Sequence, residues 1–171
     1  IKRALVSLNS CGISILHGVA GTGKTNYIRH LIDYVSAHKK NVIYMSPSLV
    51  GDISKPDFIG FMTQQKNSIL IIEDAEGAVT SREIKSNHGG IHNLLNMADG
   101  LLGEAMGVQI ICTFNTSISK IDNALRRKGR MIIEHEFNPL SIEQAQKLSN
   151  HLGFKNTVSS TMTLAEIYNQ N

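Results

Sequence analysis

Two hydrophobic periods alternate along this chain. Short, nearly continuous apolar runs occur at Ile13-Ser14-Ile15-Leu16, Val42-Ile43-Tyr44-Met45, Ile69-Leu70-Ile71-Ile72, Val108 to Phe114 and Met131-Ile132-Ile133. Runs of this length and solidity predict buried parallel strands. Between them the apolar positions fall at helical spacing. Ile28, Leu31, Ile32 and Val35 mark one helix, and Phe58, Ile59, Phe61 and Met62 mark a second, with Ser54 as its cap and Pro56 in its first turn. A third helix is read through Ile91, Leu94, Leu95, Ala98, Leu101 and Leu102. Ala4, Leu5 and Leu8 carry the same spacing at the start, and Ile121, Ala124 and Leu125 predict a short helix before the fifth strand. The alternation predicts an α/β domain on a mostly parallel sheet. Beyond it the pattern is helical only. Ser141 with Gln144 forms a capping box for a helix through Leu152 that Gly153 ends, and Thr163 with Glu166 repeats the signature. The expected division is an α/β core over 1–138 and a helical segment over 139–171. Residues 75–90 are polar and glycine-bearing and read as a long loop.

Composition narrows the picture without changing it. With 171 residues and 42% of them hydrophobic, the chain can bury a substantial core. The net charge of +3 is mild, and Arg126-Arg127-Lys128 is the longest basic run, so charge alone does not indicate nucleic acid. Cys11 and Cys112 have neither metal nor disulfide spacing, which points to a reducing, cytoplasmic setting. No apolar run reaches membrane-spanning length and no signal peptide is visible. The chain starts at Ile1 and is read as a piece of a longer protein.

Chemistry enters at Gly18-Val19-Ala20-Gly21-Thr22-Gly23-Lys24-Thr25, which fits G-x-x-x-x-G-K-[ST] at every specified position. Strand before and helix after are the context a phosphate-binding loop requires. Backbone N–H groups can then converge on a polyphosphate, Lys24 can reach the terminal phosphates, and the Thr25 hydroxyl can ligate Mg²⁺. Asn26 follows in the first helical turn, whose positive end faces the same anion. The expected ligands are ATP or ADP with Mg²⁺. Ligands of open parallel sheets bind beyond the carboxyl ends of the strands. Two more strands end in polar groups there, the third in Glu73-Asp74 and the fourth in Asn115. One carboxylate can hold hydrated Mg²⁺ while another orients or deprotonates water. His88 and His92 are four apart, but Gly89-Gly90 lie between them and no third ligand is in view, so they read as a solvated helix start.

Around these residues the chain resembles the AAA ATPases. Gly21-Thr22-Gly23-Lys24-Thr25 is the family's usual loop ending, Ile69 to Asp74 sits where its Walker B strand lies, and Asn115 matches its sensor 1. Asp122 to Arg130 resembles the family's D-P-A-L-x-R-x-G-R segment. The likeness spans roughly residues 12–137. It implies a five-stranded P-loop NTPase sheet in the order 5-1-4-3-2 with helices on both faces, and a helical lid after it. It also implies a homo-oligomeric ring, read as hexameric, in which Arg127 and Arg130 reach the neighbour's ATP. Within the family, Glu-Asp order, a short second-to-third-strand helix and Leu94-Leu95-Asn96-Met97-Ala98-Asp99-Gly100 resemble the mitochondrial AAA chaperone of respiratory complex III assembly and its bacterial and phage relatives.

Three departures stand out. Val19-Ala20 replaces the common Pro-Pro; Glu73-Asp74 reverses the usual Asp-Glu, leaving metal and base roles open between the two; and no arginine follows Arg130, so a sensor 2 arginine is absent. The resulting expectation is a Mg-dependent ATPase that remodels a macromolecule, a protein in this reading. Glu73 and Asp74 handle metal and water, Asn115 senses the γ-phosphate, and Arg127 and Arg130 act across the subunit boundary. A DNA-associated AAA switch of helicase or clamp-loader type is the alternative, and a small-molecule kinase a third reading that the Asp122–Arg130 segment opposes. For gripping polypeptide, Phe58-Ile59-Gly60 spells an aromatic–aliphatic–glycine loop but is expected on a helix. Leu49-Val50-Gly51 sits in a predicted loop and lacks an aromatic.

Overall fold

The structure, a computed structural model, describes residues 1–7, 11–76, 89–121, 123–126 and 129–170. Five strands form one parallel sheet: β1 (Gly12–His17), β2 (Asn41–Met45), β3 (Ser68–Ile72), β4 (Gln109–Phe114) and β5 (Met131–Glu136). Their order is β2-β3-β4-β1-β5, the predicted one. β1 runs in register from Gly12 beside Gln109 to His17 beside Phe114, and at its other edge ends with His17 beside Glu136. All three P-loop-side strand ends therefore lie at one edge of the sheet.

Alternation along each strand divides the core between two faces. On one side Leu16, Ile69, Ile71 and Ile111 meet Ile28, Leu31 and Val35 of α2 (Lys24–Ala37), with Leu5 of α1 (Lys2–Leu5) beneath. On the other, Ile13, Ile15, Leu70, Ile72, Ile110 and Cys112 meet Met62 of α3 (Pro56–Gln64) and Leu94, Leu95, Met97 and Ala98 of α4 (Gly89–Asp99). At the amino edge of the sheet a buried polar clasp holds α1. Lys40 Nζ donates to Ser7 O at 2.9 Å and to Gln109 Oε1 at 3.3 Å, and Gln109 Nε2 donates to Ala4 O at 2.8 Å. Burial pushes the Lys40 ammonium below the ordinary lysine pKa.

Several elements differ from their sequence pattern. The helix read through Leu102 is two, because α4 stops at Asp99 and α5 (Leu101–Met106) restarts after an extended Gly100. A Cβ on Gly100 would run into the Asn96 carbonyl, and one on Gly103 into the Met97 carbonyl, so this close turn accepts only glycine. The break turns Leu101 out of the core to 87% exposure. α3 is capped by Lys55 without a side-chain bond rather than by Ser54, and only Met62 of its apolar residues is fully buried; Phe58 and Ile59 are half-buried and Phe61 is exposed. The short helix before β5 is a pair of 3-10 turns, Ile118–Lys120 and Asn123–Arg126. Most of the predicted 75–90 loop lies outside the described residues.

After β5, both capping boxes form. Ser141 caps α6 (Ile142–His151) and Thr163 caps α7 (Leu164–Tyr168), each with its reciprocal Gln144 or Glu166 bond. A bridge between Leu140 and Met162 brings the two together over Ala145, Val158 and Ile167. α7 then leans back on the core, since Ala165 N–H donates to Gly21 O at 3.0 Å.

Candidate functional site

The loop between β1 and α2 leaves the strand buried and re-enters as a helix. Gly18 sits at φ 131° directly under the main chain of Phe137, where a Cβ would strike the Phe137 carbonyl. Gly21 sits at φ 80° against α7, its would-be Cβ at 2.9 Å from Ala165 Cβ. The Gly21 constraint involves the C-terminal segment, a demand that the motif by itself does not express. Thr22 Oγ1 donates to Val19 O at 2.8 Å and fixes the turn. Gly23 caps α2 without a side-chain bond, leaving the first-turn N–H groups for an anion.

A cavity of about 430 Å³ opens at this point. Gly21, Gly23, Lys24, Thr25 and Asn26 form one wall, Asp74 and Asn115 a second, and Leu164, Ala165 and Tyr168 of α7 a third. Gly18 and Thr22 are buried behind the first wall, while Val19 and Ala20 face solvent outside it. Lys24 is 6% exposed, and its Nζ donates to Gly18 O and Val19 O, each at 2.9 Å. Burial lowers its pKa from the ordinary lysine value, and the nearby carboxylates of Asp74 and Glu76 act in the opposite sense. A desolvated ammonium on two carbonyls is poised for a stronger anionic acceptor.

The acidic pair is split by the end of β3. Asp74 takes the left-handed conformation, φ 52°, and turns onto the cavity wall. Its N–H donates to Thr113 Oγ1 at 2.9 Å, and Asn115 Nδ2 donates to its Oδ1 at 2.7 Å. Glu73 is half-buried, is not on that wall, and has a buried Oε1 with no hydrogen-bond partner. An acceptor-only oxygen left so is costly unless a cation or donor meets it. The exposed Thr25 hydroxyl and the Asp74 carboxylate on the cavity are hard oxygen donors of the kind Mg²⁺ takes, while the Glu73 carboxylate lies off that wall.

Not every predicted residue joins them. Arg130 lies at the opposite end of the sheet, where its carbonyl accepts from Ile13 N–H at 2.7 Å. The six residues of β1 separate it from the phosphate loop, about 17–20 Å at roughly 3.3 Å per residue. Arg127 lies outside the described residues, as does His88. Arg126 of the preceding 3-10 turn faces Glu134, with Nε 3.7 Å from Oε2, and Glu134 Oε1 lies 3.6 Å from His17 Nε2. Phe58-Ile59-Gly60 is in α3, with Phe58 packed against the core. Leu49-Val50-Gly51 belongs to a 3-10 helix (Pro47–Asp52) in which Val50 is buried and Leu49 is 48% exposed.

Other residues at the site carry little sequence signal. Arg29 faces the cavity four residues after Thr25, one helical turn on, and that spacing was readable. Glu76 lies two residues beyond Asp74, inside a stretch whose polarity reads only as loop; its Oε1 accepts from Asn115 N–H. Tyr168 and Leu164 arrive through long-range packing that no local pattern encodes.

Comparisons with known proteins identify the family. The chain matches the model of the "ATPase family associated with various cellular activities (AAA)" over residues 14–139. It is 30% identical over 138 residues to a mitochondrial AAA-ATPase of Arabidopsis thaliana, which covers 72% of this chain and 30% of that relative. A second AAA-ATPase of the same plant is 25% identical over 166 residues, 90% of this chain and 32% of the relative. The chain thus spans about a third of the length of the curated relatives it matches. No helix among the described residues is long and apolar enough to cross a membrane. The family match takes in the phosphate loop, both polar strand ends and the sheet from Ser14 of β1 to the end of β5, so the chain belongs to the AAA ATPase family.

Proposed function

We propose that this chain is the Mg-ATP-hydrolysing core of a homo-oligomeric ring, hexameric in our reading, that remodels a macromolecular substrate, a protein, in the cytoplasm. One observation carries the reading: Asp74 and Asn115, bonded at 2.7 Å, share a cavity wall opposite Lys24, whereas Arg130 lies at the far end of β1. Lys24 exchanges the Gly18 and Val19 carbonyls for the β- and γ-phosphates. Thr25 and Glu73 would hold Mg²⁺, which supplies charge neutralisation on the phosphate oxygens. Asp74 accepts the proton of the attacking water, and Asn115 orients that water against the γ-phosphate. Arg127 and Arg130 serve the ATP of an adjacent subunit. Residues 139–171 act as a partial lid through α7, a reading supported by the Ala165–Gly21 bond.

The likeness to the complex III assembly chaperone, carried by Glu73-Asp74 and by Leu94 to Gly100, supports a protein over DNA as the substrate. Concentration-dependent ATPase activity, measured together with particle mass, tests the ring. Activity per subunit is expected to rise as rings form, and full activity in a proven monomer would end the reading. DNA binding with a steep salt slope would shift the substrate to nucleic acid.

A further inference from the structure

We propose that Glu76 is a positioning residue for the γ-phosphate end of the site, fixing the main chain of Asn115 while Asp74 fixes its side chain. This role rests on the reading of Asp74 and Asn115 given above and adds a third carboxylate to it.

The argument starts where the β3–β4 ladder stops. The last parallel pair is Ile72 beside Cys112. Past it the two chains are joined by different means. Thr113 accepts twice from the turn after β3, through Oγ1 from Asp74 N–H and through O from Ala75 N–H, each at 2.9 Å. That pair of bonds holds Asp74 in its left-handed conformation. Asn115, one residue beyond β4, has run out of strand partners, and a backbone donor in that position requires an acceptor. Glu76 provides it, with Oε1 accepting from Asn115 N–H. Asn115 Nδ2 meanwhile donates to Asp74 Oδ1. The cycle Asp74–Thr113–Asn115–Glu76 is thereby closed, and Asn115 is held at two atoms by two carboxylates with different tasks.

A neutral acceptor would satisfy the donor. A carboxylate makes the shorter and stronger bond and also faces Lys24, whose buried ammonium is balanced by Asp74 and Glu76 together. Asn115 therefore cannot move relative to the γ-phosphate without giving up a charge-assisted bond. A solvated acid with no partner in the site would have no such consequence.

The test compares Glu76→Ala, Glu76→Gln, Asn115→Ala, Asp74→Asn and the Glu76→Ala/Asn115→Ala pair. The measurements are kcat, KM for Mg-ATP, and thermal stabilisation by Mg-ADP and by a non-hydrolysable ATP analogue. Losing a hydrogen bond to a charged group predicts a fall in kcat of about ten- to a hundredfold in Glu76→Ala. KM should stay within about threefold, since the contact is felt at the γ-phosphate rather than in overall binding. Stabilisation by the analogue should shrink while that by ADP persists. Glu76→Gln, which keeps an acceptor oxygen, should recover part of the rate. The pair should be no slower than Asn115→Ala alone, because residues acting through one contact are not additive. Equal loss of ADP and analogue stabilisation in Glu76→Ala, an additive pair, or an unchanged kcat in Glu76→Ala would each overturn this role. Full turnover in both Asp74→Asn and Asn115→Ala would instead overturn the reading of the site, and this role with it.

Discussion

At its carboxyl end β1 opens into the cavity where Lys24, Asp74 and Asn115 converge; at its amino end it meets Arg130 and the buried clasp of Lys40, Gln109 and Ala4. The first end leaves polar groups in reach of solvent and of one another, with Thr25 and Asp74 exposed. The second end spends its polar groups on structure: Lys40 and Gln109 are both buried and bonded to the main chain of the first seven residues. A phosphoryl-transfer reaction needs positive charge on several sides of the γ-phosphate as its oxygens gain charge. At the carboxyl end Lys24 and Arg29 line the cavity from the α2 side, and Arg130 is a strand's length away. If Arg130 acts on a phosphate, that phosphate belongs to a second chain.

The largest expected effect breaks the comparison at that point. An arginine supplied in trans is worth about 10³–10⁵ in kcat, roughly 4–7 kcal/mol. Arg127→Ala or Arg130→Ala should therefore nearly abolish turnover while leaving stabilisation by Mg-ATP intact. Lys24→Ala should instead lose that stabilisation, as RT ln(1 + [L]/Kd) collapses, and its own turnover with it. Subunits of Arg127→Ala mixed with subunits of Lys24→Ala should regain activity, because each carries what the other lacks. Mixed rings with no regained activity would remove the trans assignment.

Next in size is the division within the acidic pair. Asp74→Asn should lower kcat by about 10²–10⁴, the range for a general base, with Mg-ATP still bound. If Glu73 holds Mg²⁺ through its unpartnered Oε1, as proposed, Glu73→Gln should instead weaken the part of binding that depends on Mg²⁺. A Mg²⁺ titration of thermal stability in the two variants separates them, and exchanged phenotypes would reverse the roles.

What was legible follows the same divide. The five strands, the phosphate loop and the polar strand ends at Glu73-Asp74 and Asn115 were readable because each is local: a buried run, a glycine spacing, a polar residue ending a strand. The order of the strands in the sheet is not local and came from the resemblance to the AAA ATPases. The inequality of Glu73 and Asp74 was not readable. It arises from one left-handed residue held by Thr113, a contact between residues 39 positions apart. The break at Gly100 was missed because Leu101 continues the helical period, and only the Asn96 and Met97 carbonyls pressing on Gly100 and Gly103 show why the helix stops. The third wall of the cavity was missed for a like reason. Nothing near Ala165 in sequence reports that Gly21 lies against it.

A smaller effect sharpens this last point by comparing the two capped helices. Ser141→Ala removes the cap of α6, and Thr163→Ala removes that of α7; each should cost about 1 kcal/mol, typical for an N-cap hydroxyl. Only the Thr163 variant should also weaken nucleotide-dependent stabilisation, because only α7 bonds to Gly21 and lines the cavity. Equal loss of nucleotide response in both variants would mean that the whole segment matters and that the Ala165–Gly21 contact has no special part.

The smallest expected effect is a pH dependence of the same cap. Glu166 Oε2 accepts from Thr163 N–H at 2.6 Å and from Thr163 Oγ1 at 2.9 Å. These bonds hold the carboxyl below its ordinary value of 4.5, with the backbone bond the larger cause. The sign follows from proton binding. Because the folded chain holds this proton less readily than the unfolded one, the cap contributes fully above the unfolded value of 4.5 and fades as pH falls through the lower folded value. Protonation removes the charge that makes Glu166 a strong acceptor at the first turn of α7, and with it part of the hold on Ala165. The melting temperature of the native chain minus that of Glu166→Gln should thus be positive near neutrality and shrink toward zero on acidification below about 4.5. Mg-ADP stabilisation in the native chain should weaken over the same interval and stay flatter in the variant. A difference that stays constant from neutral to acid pH would show that the amide replaces the carboxylate without loss, leaving the cap outside any control of the cavity.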